Sequence, residues 1–586
     1  MPDPRIESWM DFSDSGATTP ISPTSGTSTP RFPPRAYKPP KGLGRDDLER
    51  ASEKLRSHND TPLSNLSTTN LNDQATEMSQ IPEMAMARAA GLSCTLMAAA
   101  FLNTLSVQAM VIAMPSIGEA FDMPKSRQQW IITSYALTFG CFLLLWGKIG
   151  DIYGKRLVFL IGGVWVAVTT LATAFAPSEI VFDILRALSG LGAAANVPAA
   201  MGILGTSIPP GKVKSYAFAI YSAGAPLGAV CGTLVGGILT EYASWQWIFY
   251  LVAIVSAVVT AAAYFVIPVP KKSHSVTPVE RPMLDYFGAF LITLSLVLLI
   301  FTLSQGNTGD DGWTKPYIPS LLLVFVILFM TFVAWEWWLE NKTKLEPLMR
   351  MSIWSNRGFT VSMVVTGFFW AAFNNYMVYA TFFYQDFLGL SPIATTLRFL
   401  PTGVAGALIT IVSGYLLSRV SGQHILIVGV ICTAISCMLM AAPIPPETTY
   451  WAWGFPAMIL AVVGADTVYP CLSLYTTGSM PMKDQALAGG IFNTVGQIGR
   501  AVGLALATAV DVGIKKNGGN RLGDLVPGMQ RFDDHHDDKW AILAALRTAQ
   551  WLNTGMALIA LVAVIAGLRN IGKVGAAKPN GDKEER

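Results

Sequence analysis

Three charged residues lie inside runs that are otherwise apolar, where a charge has few chemical uses. Arg186 falls in ILRALSGLGAAANVPAAMGIL, Asp466 in VVGADTVYP and Arg500 in VGQIGRAVG. An ionised side chain at the centre of a membrane helix costs about 2.5 to 3.5 kcal/mol on insertion scales, so each needs a partner, a water-filled cavity or an exchangeable proton. Asp466 can take up and release a proton, whereas an arginine stays charged and can only modulate that step. Asp466 and Arg500 sit near the middles of consecutive runs of opposite direction, which at ~1.5 Å of rise per residue predicts similar depth and a pair. Two readings stand: Asp466 is a protonatable coupling residue tuned by Arg500, or the two form a permanent ion pair that holds two helices together. Arg186 likewise reads as a proton-coupling residue or as a structural arginine snorkelling to an interface.

Neutral groups suited to a ligand cavity are Asn103, Gln108 and Tyr135, together with Phe373, Asn374 and Tyr376 inside GFFWAAFNNYMVYATFFYQ. Aromatic and amide groups of this kind suit a flat, weakly polar ligand, although aromatic residues also pack against lipid. DDHHDD, at 533–538, has donor chemistry for a divalent metal. In a long polar loop it is read as solvated, and no metal or cofactor is expected.

The elements that must position these groups follow from composition. Of 586 residues, 52% are hydrophobic and 13% charged, against roughly 25% charged in a soluble domain. The mean hydropathy of +0.44 agrees with a chain that lives in a bilayer. The net charge of +3 decides little, and the absence of a basic stripe with interleaved aromatics argues against a nucleic-acid partner. Cys94, Cys141, Cys231, Cys432, Cys437 and Cys471 all fall in apolar runs and read as small hydrophobes, not disulfide or zinc partners. No GxxxxGK[ST] is present, which argues against a primary pump. No histidine lies within a span and no nucleophile has a paired base, so an enzyme is not expected.

Fourteen segments approach the ~20 residues that cross a bilayer. They begin near Leu92, Trp130, Leu157, Ile180, Tyr216, Trp247, Tyr286, Ile318, Phe359, Ile393, Ile425, Trp453, Leu487 and Ala549. The loop cations Lys148, Lys155, Arg156, Lys212, Lys214, Lys271, Lys272, Arg281, Lys342, Lys344, Arg350 and Arg357 share one face, which the positive-inside rule assigns to the cytoplasm. Tryptophans such as Trp130, Trp245 and Trp247 fall at span ends, as interfacial aromatics do. The expected organisation is a disordered cytoplasmic tail (1–86), a six-helix bundle (87–270), two extra helices with linkers (271–345), a second six-helix bundle (346–570) and a cytoplasmic tail (571–586). The first tail is rich in Ser, Thr and Pro, has no signal-peptide pattern, and offers Thr19, Ser22, Thr29 and Thr61 before proline as phosphorylation candidates.

GKIGDIYGKR, at 147–156, sits in the turn after the second span and places Gly147, Asp151, Gly154, Lys155 and Arg156 together. Gly147 allows close helix approach, Gly154 a turn, and Asp151 can cap a helix or pair with a cation of the other half; a solvated turn is the simpler reading. Its counterpart GYLLSRVSGQH, at 414–424, has Ser418 where Asp151 stands and Ser421 in place of Gly154. The fifth span carries Gly224, Gly228, Gly232, Gly236 and Gly237, which place glycines on nearly one helix face.

The 147–156 pattern resembles the loop signature of the major facilitator superfamily. QWIITSYALTFG (129–140), WQWIFY (245–250), the Arg186–Gly190 region and the glycine face resemble that superfamily's fourteen-spanner drug:proton antiporters, nearest to fungal members that include aminotriazole and boron exporters, toxin efflux pumps and some nutrient permeases. The resemblance implies an all-α fold of two pseudo-symmetric six-helix bundles plus two central helices, with proton coupling at Arg186 and an antiporter role for the glycine face. It departs from the family at Thr233, where a proline is expected and Pro226 lies earlier, and at Ser106, where the first span of the family carries an acid. The expected function is proton-coupled efflux of a small, largely apolar compound by a monomer in the plasma or vacuolar membrane, with protons, lipid and a small molecule as partners. The alternative is uptake of a small nutrient such as ammonium; a non-transporting sensor lacks any recognisable signalling module.

Overall fold

Backbone N–H and C=O groups inside a bilayer have no water to bond, so long apolar stretches resolve as helices that satisfy them internally. The computed structural model describes residues 86–123, 125–128, 130–269, 284–306, 315–343, 345–445, 448–516, 537–569 and 571–572. Almost all of both expected tails, with the phosphorylation candidates, the whole of the 271–283 linker and the 533–536 part of DDHHDD lie outside them. Fourteen long helices occur among the described residues. The first six are α1 (Met86–Ala120), α2 (Trp130–Tyr153), α3 (Lys155–Thr173), α4 (Glu179–Ser207), α5 (Lys212–Tyr242) and α6 (Gln246–Val266). A pair follows, α7 (Tyr286–Gly306) and α8 (Tyr317–Lys342). The last six are α9 (Arg357–Phe382), α10 (Pro392–Arg419), α11 (Gly422–Ala441), α12 (Tyr450–Gly478), α13 (Gln485–Lys516) and α14 (Asp537–Gly567).

Thirteen of these are long and apolar enough to cross a membrane. The remaining one, α9, spans 26 residues, and its Asn374–Asn375 pair and aromatic side chains lower its hydropathy. Helix α14 starts at Asp537, well before the expected Ala549. Its first turns bury the consecutive residues Leu543, Ala544, Ala545 and Leu546, which point all around the helix, so hydropathy alone places the start too late.

Within the first six, α1 packs along α5, and α4 against α2 and α3; within the last six, α9 packs on α13 and α14, and α11 on α12 and α14. The halves meet along two seams, α13 against α2 and α4, and α5 against α10. The α7–α8 hairpin leans on α2 and α13, one helix from each half.

The α1–α5 contact shows why α5 carries glycine every fourth residue. A Cβ at Gly224 would lie 2.6 Å from the Met97 carbonyl oxygen, one at Gly232 2.6 Å from that of Leu105, and one at Gly236 2.8 Å from Ala109 Cα, while at Gly228 it would strike the Phe101 carbonyl. Backbone therefore lies on backbone, which only glycine permits. Gly237 does not join this face: nothing lies within 4 Å of its Cβ position, because one residue further turns it about 100° away. Helix α5 continues unbroken through Pro226. Trp245 is also not an interfacial anchor. It is buried, edge-on to Phe182 and Phe249 at 5.9 Å, because the chain turns into α6 beneath α4.

Gly232→Val should therefore separate α1 from α5. Overpacking of this kind costs about 1–3 kcal/mol or more, so the solubilised variant should melt several degrees below the parent in a thermal-shift assay, with Gly237→Val unchanged.

Candidate functional site

Gly154 alone connects α2 to α3, at φ +109°, a region that side-chain-bearing residues rarely adopt. This abrupt turn leaves Asp151, in the last turn of α2, facing the start of α13. The first N–H groups of any helix lack intrahelical acceptors and present a partial positive charge. Asp151 supplies the acceptors: Oδ1 takes the N–H of Ala486 at 3.1 Å and Oδ2 that of Leu487 at 2.7 Å. Lys155 Nζ lies 2.9 Å from Asp151 Oδ1 and donates to the Met482 carbonyl at 3.2 Å. One half thus caps a helix of the other.

Small residues let the seam close this far. A Cβ at Gly147 would stand 2.8 Å from the Ala486 carbonyl oxygen, and one at Gly490 2.8 Å from that of Leu143. Arg156 has a different role from the one expected. Its Nη2 donates to the Tyr264 carbonyl at 2.6 Å and its guanidinium lies 5.2 Å from the Tyr264 ring, so it ties α3 to α6 within its own half. At the other seam Gly414 packs on Tyr216 and Ala219 of α5. Ser418 is half-buried and donates to the Tyr415 carbonyl of its own helix at 2.9 Å. The second seam has the close approach without the cap.

Arg186 does not snorkel. It is 1% exposed, with Nε donating to the Ile131 carbonyl at 3.3 Å and Nη1 to Ser106 Oγ at 3.2 Å. Its guanidinium stands 4.6 Å from the centre of the Tyr135 ring, and the Tyr135 hydroxyl donates to Asn103 Oδ1 at 2.5 Å. No carboxylate lies within ion-pairing distance of it among the described residues, and Nη2 has no partner. Asn103, Ser106 and Tyr135 border a cavity of about 30 Å³ inside the first half, room for no more than a water or two. Gln108 stands apart from this network, against Gly232 of α5.

Asp466 and Arg500 do not pair. Asp466, 5% exposed, faces Gly406 of α10, whose Cβ position is 2.8 Å from Asp466 Oδ2 and 3.4 Å from Pro226 Cβ of α5. Oδ2 has no hydrogen-bond partner. Arg500 lies 4.1 Å from the Trp370 ring centre on α9, with Nε unpartnered. Depth follows from sequence position, but the direction a side chain takes around its helix depends on neighbours. It is Tyr469, one turn from Asp466, that meets the Trp370 ring at 5.9 Å.

Phe373 stacks on Phe369 at 6.2 Å and stands edge-on to Trp370 at 5.7 Å, and Asn374 beside it is half-buried. Tyr376 is not a cavity residue: it is 0% exposed, and its hydroxyl points to the Met458 sulfur at 3.6 Å inside the second half. Sequence reasoning missed Glu346, which lies 3.9 Å from Lys148, 3.8 Å from Lys483 and 3.7 Å from Arg350. An acid flanked by basic residues was the only signal, and it is a common one.

A family model described as Major Facilitator Superfamily matches residues 96–504. The chain is 30% identical to the low affinity ammonium transporter of Saccharomyces cerevisiae, over 69% of this chain and 78% of that one. It is 29% identical to the efflux pump terJ of Aspergillus terreus, over 70% of this chain and 79% of that one. The crystal structure of the human organic anion transporter MFSD10 superposes with a TM-score of 0.56 at 14% identity, covering 81% of this chain and 99% of that chain, which is a likeness of fold.

Asp151→Asn should weaken the cap and free Lys155. Hydrogen bonds to a charged group contribute about 1.5–3 kcal/mol, so acetylation of Lys155, followed by mass spectrometry, should speed up about tenfold or more, and Ser418→Ala should leave it unchanged. Equal rates in both variants would remove the mechanical distinction between the two seams.

Proposed function

The chain belongs to the major facilitator superfamily and is a multi-pass membrane transporter, and from that premise we propose that it expels small, largely apolar compounds by alternating access in exchange for protons. The observation that carries this reading is the Asp151 cap, a directional joint between two halves. Inverting a two-state population from 1:99 to 99:1 takes about 5.5 kcal/mol. Two charge-assisted hydrogen bonds of about 1.5–3 kcal/mol each are of that order. Such a joint favours one state and still releases when cargo or a proton favours the other.

Asp466 is the proposed proton carrier. It is buried without a counter-cation where α12 meets α10 and α5, so movement along the α5–α10 seam changes its surroundings directly. An uncompensated carboxylate is costly in such a place, and a rearranging seam converts that cost into proton uptake or release. Arg500, held on Trp370, is a fixed cation one helix away. Arg186 faces Ser106 instead of an acid, which supports coupling in the second half and a positioning role for Arg186 in the first.

Outward transport is supported by the likeness to efflux pumps, and the half-buried Trp370 and Phe373 suit flat, weakly polar cargo. We assign the basic face and both tails to the cytoplasm, the transporter to the plasma membrane and the working unit to a monomer without catalytic activity. Uptake of a small polar solute is the second reading, favoured by the likeness to the yeast ammonium transporter.

Cells producing the chain and loaded with rhodamine 6G should lose the dye faster than control cells, and a protonophore should abolish the difference. Gradient-driven accumulation of methylammonium in intact cells would reverse the direction. Asp466→Asn should flatten the pH dependence of dye export; an unchanged profile would sink its coupling role.

A further inference from the structure

The α7–α8 hairpin carries buried charge that the transport cycle above does not use. Asp285 stands just before α7 and caps it, with Oδ1 accepting the Gly288 N–H at 3.0 Å. Its two oxygens also lie 3.2 and 3.1 Å from the Trp335 indole nitrogen, which donates to them. Glu336, the next residue along α8, is 0% exposed. Its Oε2 accepts the Met349 N–H at 3.2 Å, and its Oε1 has no donor. Oε1 is directed at the space over Gly288 that Asp285 Oδ2 also occupies: a Cβ there would lie 2.5 Å from Glu336 Oε1 and would strike Asp285 Oδ2. The Gly288, Trp335 and Met349 donors are committed to Asp285 and to Oε2. Two carboxylates that converge beside a fully buried oxygen repel each other when both are ionised. A proton between Oε1 and Oδ2 would supply the donor that Oε1 lacks.

We infer that Asp285 and Glu336 share one proton and form a second proton-binding site, on the inserted hairpin, that governs the Asp151 clamp. The connection is short. Met349, held by Glu336, belongs to the segment whose Glu346 lies 3.9 Å from Lys148 of the first half and 3.8 Å from Lys483 of the second. Lys148 is buried and directly follows Gly147 in the clamp. The charged groups around Glu336 are Asp285 on its own hairpin, Lys148 from α2, and Glu346, Glu340 and Arg350 around the following segment. Glu340 already accepts the Ser352 N–H at 3.2 Å. While the proton is shared, Lys148 is left to Glu346. When it leaves by way of the half-buried Asp285, the pair gains one negative charge. Glu336 then competes with Glu346 for Lys148, the 345–350 segment detaches, and the clamp loses its support. Alkaline conditions on the basic face should therefore loosen the clamp, whatever the cargo and its direction.

Hydrogen–deuterium exchange of the full chain in lipid nanodiscs tests this without labels or substrate. Between about pH 6 and pH 9, after correction for intrinsic exchange, protection of 345–350 and of Ala486–Leu487 should fall about tenfold or more in the wild type. In Glu336→Gln the amide oxygen keeps the Met349 bond and the amide N–H fills the gap to Asp285, so protection should persist across the range. Should that variant fail to fold, Asp285→Asn serves in its place. Infrared difference spectra should show a protonated-carboxyl band that disappears as pH rises in the wild type and is missing from either variant. Flat protection in the wild type, equal loss in the variant, or protection that follows sodium concentration in place of pH would each overturn the shared proton.

Discussion

The closed arrangement of this protein depends on the unsatisfied first turn of one helix. The leading N–H groups of α13 have no acceptors within their own helix, and Asp151, from the opposite half, supplies them. Gly147 and Gly490 are small so that backbone can approach backbone there, and Gly154 has a positive φ so that Asp151 ends its helix at that point. Lys155 neutralises the carboxylate and reaches the Met482 carbonyl across the seam. The cap is desolvated and directional, with two backbone N–H groups donating to one charged carboxylate.

The buried charges show how differently a low-dielectric interior can accommodate them. Arg186 is held without an acid, by a carbonyl, a serine hydroxyl and the Tyr135 ring face, with Nη2 left unpartnered. Arg500 uses the Trp370 face in the same way. The carboxyls Asp466 and Glu336 each keep one oxygen without a donor, and a carboxyl can resolve that shortage with a proton where an arginine cannot. The two carboxyls stand in different places: Asp466 faces Gly406 of α10 beside Pro226 of α5, and Glu336 holds the Met349 N–H.

Much of the fold is legible in the sequence because bilayer thickness and backbone hydrogen bonding leave an apolar run of twenty residues little choice. Spans, the tight turn at Gly154 and the four-residue spacing of glycines on α5 all follow from local rules. Errors arise where a local rule meets a neighbour. Gly237 shares the composition of its face but not its direction, Tyr376 shares the sequence of the aromatic stretch but points into the core, and α14 begins earlier than hydropathy suggests because its first turns are buried among neighbouring helices.

By itself the sequence determined a helical membrane protein of this superfamily and the residues of its turn motif, since each depends on spacing along one chain. Only the tertiary structure decided partners. It joined Asp151 to Ala486 and Leu487, residues more than 330 positions away in the chain, joined Arg186 to Ser106, and left Asp466 apart from Arg500. It also brought Asp285, Glu336 and Lys148 to one place from three segments. The physical reason is that a helix fixes how deep a side chain lies, while the rotation of that helix against its neighbours fixes what the side chain meets, and that rotation is set by packing over the whole bundle.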